Sequence, residues 1–253
     1  MLEADIRRQR AKKPILLMTH LVLGYPSFDD SRRLVETMIE AGVDLIELQI
    51  PFSEAIADGP VILHANQRAL AAGATVRRCF EVAARLAAES PIPLLFMTYC
   101  NVPFVMGFDR FVRETRAAGL RGAIVPDLPL EEGDGLFGAM EREGLDPIFI
   151  YSPNTSASRM RAIAARARGF IYCVARKGVT GAETTFAALD PYLARCREAT
   201  TLPLAVGFGV KQRADVEQLV GKTDIAVVGS ETIRVVEAHG VAAAAPFLRS
   251  LGG

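Results

Sequence analysis

The stretch Asp44-Leu-Ile-Glu-Leu-Gln-Ile-Pro-Phe-Ser-Glu-Ala-Ile-Ala-Asp-Gly-Pro60 decides how the rest of the chain is read. It opens as a short apolar run, Leu45, Ile46, Leu48 and Ile50, with the carboxylate of Glu47 set inside it. Gly42 before and Pro51 after bound the run, which therefore predicts a buried strand. A carboxylate on such a strand is costly unless it is paired, hydrogen-bonded or protonated. A turn follows, and then Asp58-Gly59-Pro60, a helix start with a second acid. Taken singly, Asp58 reads as an N-cap and Glu47 as a satisfied core acid, the rarer fate for Glu. Together they fit one acid at the C-terminal end of a barrel strand and another on the loop beyond it, where βα barrels build their active sites.

Working outward, strand-like and helix-like segments alternate along the whole chain. Residues 14–23, 45–50, 93–98, 122–126, 147–151, 170–175, 204–207 and 225–228 read as strands, and 31–41, 61–72, 75–89 and 108–118 as helices. The last helix begins near Ser230. Eight short apolar strands, each followed by a helix and with no linker between them, predict a single (β/α)₈ TIM barrel over residues 1–253. A doubly wound sheet is the alternative, weakened because no G-x-G-x-x-G follows the first strand.

Composition agrees with that class. The 253 residues are an ordinary barrel length, and a 50% hydrophobic fraction is ample for a large core. Lys plus Arg and Asp plus Glu both number 29, which argues against a nucleic-acid partner. Cys79, Cys100, Cys173 and Cys196 are far apart and form no CxxC pair, so reduced packing cysteines are expected rather than disulfides or a zinc site. The basic N-terminal run has no long apolar segment behind it, and no stretch approaches membrane-spanning length; a cytoplasmic protein is the expectation.

Three late turns carry glycine: Gly178-Val-Thr-Gly181, Gly207-Phe-Gly209 and Gly229-Ser230. The last two follow the seventh and eighth strands, where barrels often cradle phosphate on backbone N–H groups and a helix N-terminus. A phosphorylated substrate is expected.

These motifs, in this order, resemble the tryptophan synthase alpha subunit family. The resemblance is carried by Glu47-Leu-Gln-Ile-Pro-Phe-Ser with Ala57-Asp-Gly-Pro60, Met97-Thr-Tyr-Cys-Asn101, Val125-Pro-Asp-Leu-Pro-Leu-Glu-Glu132, and Tyr172 with Gly178-Val-Thr-Gly-Ala182. Val206-Gly-Phe-Gly209 and Val228-Gly-Ser230 complete it. It implies retro-aldol cleavage of indole-3-glycerol phosphate to indole and glyceraldehyde 3-phosphate, and a beta subunit as a possible partner. Glu47 would be the general acid/base, Asp58 the carboxylate steadying the indole N–H, and Tyr172 an active-site tyrosine. Thr180 and Gly181 would lie on a loop over the substrate, with Phe208, Gly209, Gly229 and Ser230 at its phosphate. His20, Gln49, Asn66, Met97, Tyr99 and Ile150 are the expected pocket residues.

The chemistry suits these residues. A retro-aldol cleavage needs a proton delivered to one carbon while another leaves a hydroxyl, and a desolvated carboxyl can serve in both directions. A second, ionised carboxylate can stabilise charge developing on the indole nitrogen. No cofactor and no metal are expected: the three histidines form no ligand cluster, and no lysine lies in an apolar strand for a Schiff base.

Three departures stand out. Gln49 replaces the family's usual Gly and should point to the same side as Glu47, to crowd the pocket or bond Glu47. His20 replaces an aromatic or apolar residue. Ser53-Glu-Ala55 stands where Ser-Asp-Pro is common, in a turn facing the beta subunit. Polar groups left unpaired against an apolar ring predict slow turnover, and a gain on Gln49→Gly. A stand-alone or specialised lyase, or a weakly active homologue that mainly regulates a beta subunit, is the alternative.

Overall fold

The computed structural model describes residues 2–174, 189–207 and 209–252. Each short apolar run becomes a strand whose residues alternate between two cores. The strands are β1 (Leu16–Val22), β2 (Leu45–Gln49), β3 (Leu94–Met97), β4 (Gly122–Ile124), β5 (Asp146–Tyr151), β6 (Ile171–Val174), β7 (Leu204–Gly207) and β8 (Ile225–Val228). They are parallel and close in sequence order, β8 pairing back on β1 through Leu16 and Ile225. The expected eight-stranded barrel is therefore the architecture observed.

Leu16, Met18 and Leu45 join Leu95, Met97 and Ile225 in a core inside the barrel. Their neighbours Leu17, Leu21, Ile46, Leu48 and Phe96 face outward into a second core beneath the helices. Both faces of every strand are thus covered, which is why the strands read as unbroken apolar runs. Some helices start where a side chain can accept an orphan backbone N–H: Ser27 takes that of Asp30, and Ser156 that of Arg159.

Helix Leu2–Arg10 was not expected from the basic N-terminal run. Its Leu2 and Ile6 are buried and belong to the inner core, so this amphipathic turn seals the N-terminal end of the barrel while its arginines stay outside. The short helices Asn101–Met106 and Ala244–Ser250 also lie outside the simple alternation. Among the described residues, no helix is long and apolar enough to cross a membrane.

Candidate active site

Pleat and register bring His20 and Glu47 together. The two are partners across β1 and β2, both on the inward face, and both buried at 2% and 4% exposure. Their polar atoms meet: His20 Nδ1 lies 3.0 Å from Glu47 Oε1. Burial disfavours the imidazolium, yet the hydrogen bond and charge of Glu47, with the charge of Asp58 and a contribution from Gln49, carry His20 above its usual pKa.

Two residues further along β2, Gln49 also points inward, as strand alternation predicts, and is wholly buried. Its Nε2 donates to Asp58 Oδ2 at 2.6 Å, not to Glu47. Asp58 is consequently no N-cap; the cap of helix Pro60–Ala71 is Gly59, which offers no side-chain bond. Burial pushes the Asp58 carboxyl up, and Glu47 adds to that. The nearby His20 charge and hydrogen bonds from Gln49 and Tyr99 pull the other way without cancelling it.

The expectation that His20 and Gln49 stand unpaired is corrected for one polar atom of each. Each makes one hydrogen bond to a carboxylate, because the acids are near enough to use the polar groups. His20 Nε2 and Gln49 Oε1 remain buried without a partner.

A cavity of about 300 Å³ opens at this end of the barrel. Of the expected residues, His20, Glu47, Asp58, Met97, Ile150 and Tyr172 line it, with Ile124 and Ile62 adding apolar wall that the sequence did not single out. Gln49, Asn66 and Tyr99, expected as walls, stand behind it. Asn66 is held by the chain itself, its Oδ1 accepting the Phe52 N–H and its Nδ2 donating to the Ile62 carbonyl. The Tyr99 hydroxyl accepts the Ala57 N–H at 3.0 Å, and its ring stacks on Phe52. Both residues brace the turn that delivers Asp58.

Tyr172 projects from β6. Burial and the nearby Glu47 and Asp58 charges raise its pKa well above the ordinary value, so the phenol stays protonated. Its ring lies across Gly207, where an added Cβ would come within 2.7 Å of the hydroxyl. Glycine is required there because the tyrosine occupies the side-chain space.

Gly209, Gly229 and Ser230 line the same cavity where β7 and β8 end, and Ser230 begins helix Ser230–His239. Lys211, Glu231 and Arg234 stand beside them, and Arg234 is ion-paired to Glu231 at 2.8 Å. Arg234 follows Ser230 by one helical turn, a spacing that could have flagged it. Thr180, Gly181 and Phe208 lie outside the described residues. Among those described, no cluster of three or more His, Cys, Asp or Glu side chains could hold a metal ion.

The family model described as "Tryptophan synthase alpha chain" matches residues 6–246. The chain is 61% identical to the tryptophan synthase alpha chain of Desulforapulum autotrophicum over 252 residues, covering 99% of this chain and 100% of that one. It is 59% identical to that of Syntrophotalea carbinolica, with the same coverage. Among solved structures, Mycobacterium tuberculosis tryptophan synthase superposes with a TM-score of 0.92 at 31% identity, over 99% of this chain and 96% of that one.

Proposed function

The chain belongs to the tryptophan synthase alpha chain family, and we propose that its barrel mouth carries out the reaction implied by that membership. That reaction is the carbon–carbon lyase step of tryptophan biosynthesis, cleaving indole-3-glycerol phosphate to indole and glyceraldehyde 3-phosphate. The observation that carries the reading is a pair of acids, buried Glu47 and half-buried Asp58, lining one cavity together with apolar side chains, glycine turns and a helix N-terminus. An indole ring suits the apolar side chains and a phosphate the glycine turns.

In this reading Glu47 delivers a proton to indole C3, leaving positive charge on the ring nitrogen, which the Asp58 carboxylate stabilises. The side-chain hydroxyl then loses its proton to Glu47. As it becomes the aldehyde, the carbon–carbon bond breaks and its electron pair returns to the ring. One proton enters and one leaves, so Glu47 ends as it began. Tyr172, kept neutral, offers an O–H beside the reacting end. Gly209, Gly229 and Ser230 bind the phosphate, with Thr180, Gly181 and Phe208 assigned to the same region by resemblance alone.

A beta subunit is the partner this reading implies. Ile56, Phe104 and Val105 support it: they are 71%, 67% and 84% exposed, on the turn after β2 and the short helix after β3. Apolar side chains this exposed suit a surface that a protein covers. A cytoplasmic setting belongs to the same reading, and the four free cysteines are compatible with it.

The test is indole release from indole-3-glycerol phosphate, with and without a beta subunit. Glu47→Gln should fold normally and lose about 10²-fold or more in kcat, the scale of lost general acid–base catalysis. A variant that keeps most of its turnover would overturn the assignment.

A further inference from the structure

Three observations converge beside Glu47. His20 Nδ1 faces Glu47 Oε1 at 3.0 Å, while His20 Nε2 is buried with no partner. Gln49 Nε2 donates to Asp58 at 2.6 Å, while Gln49 Oε1 is buried with no partner. The two unpartnered atoms are chemical complements on inward-facing side chains of adjacent strands, with His20 opposite Glu47 and Val22 opposite Gln49.

We propose that His20 is a positioning residue which shares one proton with Glu47, and that Gln49 fixes the imidazole tautomer that makes the sharing possible. Asp58, as a carboxylate, can only accept, so it holds the amide end of Gln49 and leaves its carbonyl for the imidazole. That carbonyl in turn favours a proton on His20 Nε2. Nδ1 is then the nitrogen that gives a proton to, or takes one from, Glu47 Oε1.

The proton count follows. The loaded pair is imidazolium with carboxylate, or neutral ring with carboxylic acid, and holds one mobile proton in either form. That proton goes to indole C3. The emptied pair sets two lone pairs against each other across 3.0 Å, which drives it to recover a proton from the substrate hydroxyl. Glu47 is held through Oε1 by His20, and Asp58 through Oδ2 by Gln49 with Tyr99 beside it.

The charged and titratable groups around the ring are Glu47 on β2, Asp58 on the following turn, Tyr172 on β6, and Glu231, Arg234 and Lys211 farther out at the mouth. The net effect of this environment raises the His20 pKa despite burial, as the shared proton requires.

The inference rests on the lyase reading only in its kinetic arm. Nitrogen-15 NMR of His20 in the intact chain should show the Nε2–H tautomer in neutral forms and titration above the usual 6.5. The tautomer should be lost in Gln49→Gly, and the raised titration should fall in Glu47→Gln. Kinetically, His20→Phe should lower kcat about 10–10²-fold with little change in KM, and move the alkaline limb of the pH profile to lower pH. His20→Asn, which restores a donor near the Nδ1 position, should recover part of kcat but not the limb. A His20 that titrates at or below its ordinary value, or keeps its tautomer in Gln49→Gly, overturns the proposal. So does a His20→Phe enzyme with wild-type kcat and pH profile. If wild type releases no indole, the lyase reading fails while the NMR arm still judges the pair.

Discussion

At the N-terminal end of the barrel, Asp44, Asp146 and Asp224 accept hydrogen bonds from the backbone, from Leu17 at 3.0 Å, Leu2 at 3.0 Å and Leu204 at 2.8 Å, with Lys13 and Arg197 adding ion pairs to Asp44 and Asp224. At the C-terminal end, Glu47 and Asp58 take theirs from side chains, His20 and Gln49. A backbone N–H does not titrate and moves only with its strand or helix, so acids bound this way are fixed parts of the fold. Side-chain partners can titrate, rotate or be replaced. They leave their acids poised against a cavity rather than sealed. The same residue type thus holds the barrel shut at one end and stands ready for chemistry at the other.

The sharpest way to break this comparison is to remove charge while leaving shape. Asp58→Asn keeps an oxygen for the Gln49 amide, so its unfolding midpoint should stay close to wild type. Its kcat should fall about 10²-fold, on the scale of losing one preorganised group that stabilises transition-state charge. If denaturant melts show a large stability loss and kinetics show little change, Asp58 belongs with the structural acids and the contrast dissolves.

The converse effect is smaller and lies at the other end. Asp146→Ala leaves the buried Leu2 N–H unpaired and should destabilise the fold by about 1–3 kcal/mol. Equilibrium unfolding would measure this, and kcat for indole release should be unchanged once the variant is folded. A fall in kcat at temperatures where the variant remains native would mean that the two ends are coupled.

The mouth was only partly legible in the sequence. Glu47 stood out because an acid interrupted an apolar run, and strand alternation correctly put Gln49 on its side. What alternation could not supply was the choice of partner. Gln49 reaches Asp58 because the intervening turn, pinned by the Asn66–Phe52 and Tyr99–Ala57 hydrogen bonds, folds back over the strand. That is a tertiary consequence with no local signal. For the same reason His20 looked like an unpaired intruder until the β1–β2 register set it opposite Glu47. The N-terminal plug was missed because the charge of Arg7, Arg8 and Arg10 obscured a helical spacing of only two apolar residues, Leu2 and Ile6. The barrel itself was readable because its strands are covered on both faces and bounded by turn residues.

The smallest expected effect separates the ends by pH. Burial raises the pKa of both Asp58 and Asp146, but the consequences should appear in different measurements. For Asp146 the folded value lies above the unfolded one, so across that interval the native state binds more protons. Stability therefore falls as pH rises from the unfolded pKa through the folded one, and levels off above it. Asp146→Asn lacks this titration. The difference in unfolding free energy between it and wild type should move in the variant's favour across that interval, then become constant. For Asp58 the carboxylate is the working form. The acid limb of kcat should accordingly lie above the ordinary 3.8 and be altered in Asp58→Asn, whereas Asp146→Asn should leave that limb in place. Urea melts and pH–rate profiles on the same two variants decide the matter. If Asp146→Asn shifts the rate profile, or its stability difference is flat with pH, the carboxylates at the two ends are not divided between structure and chemistry.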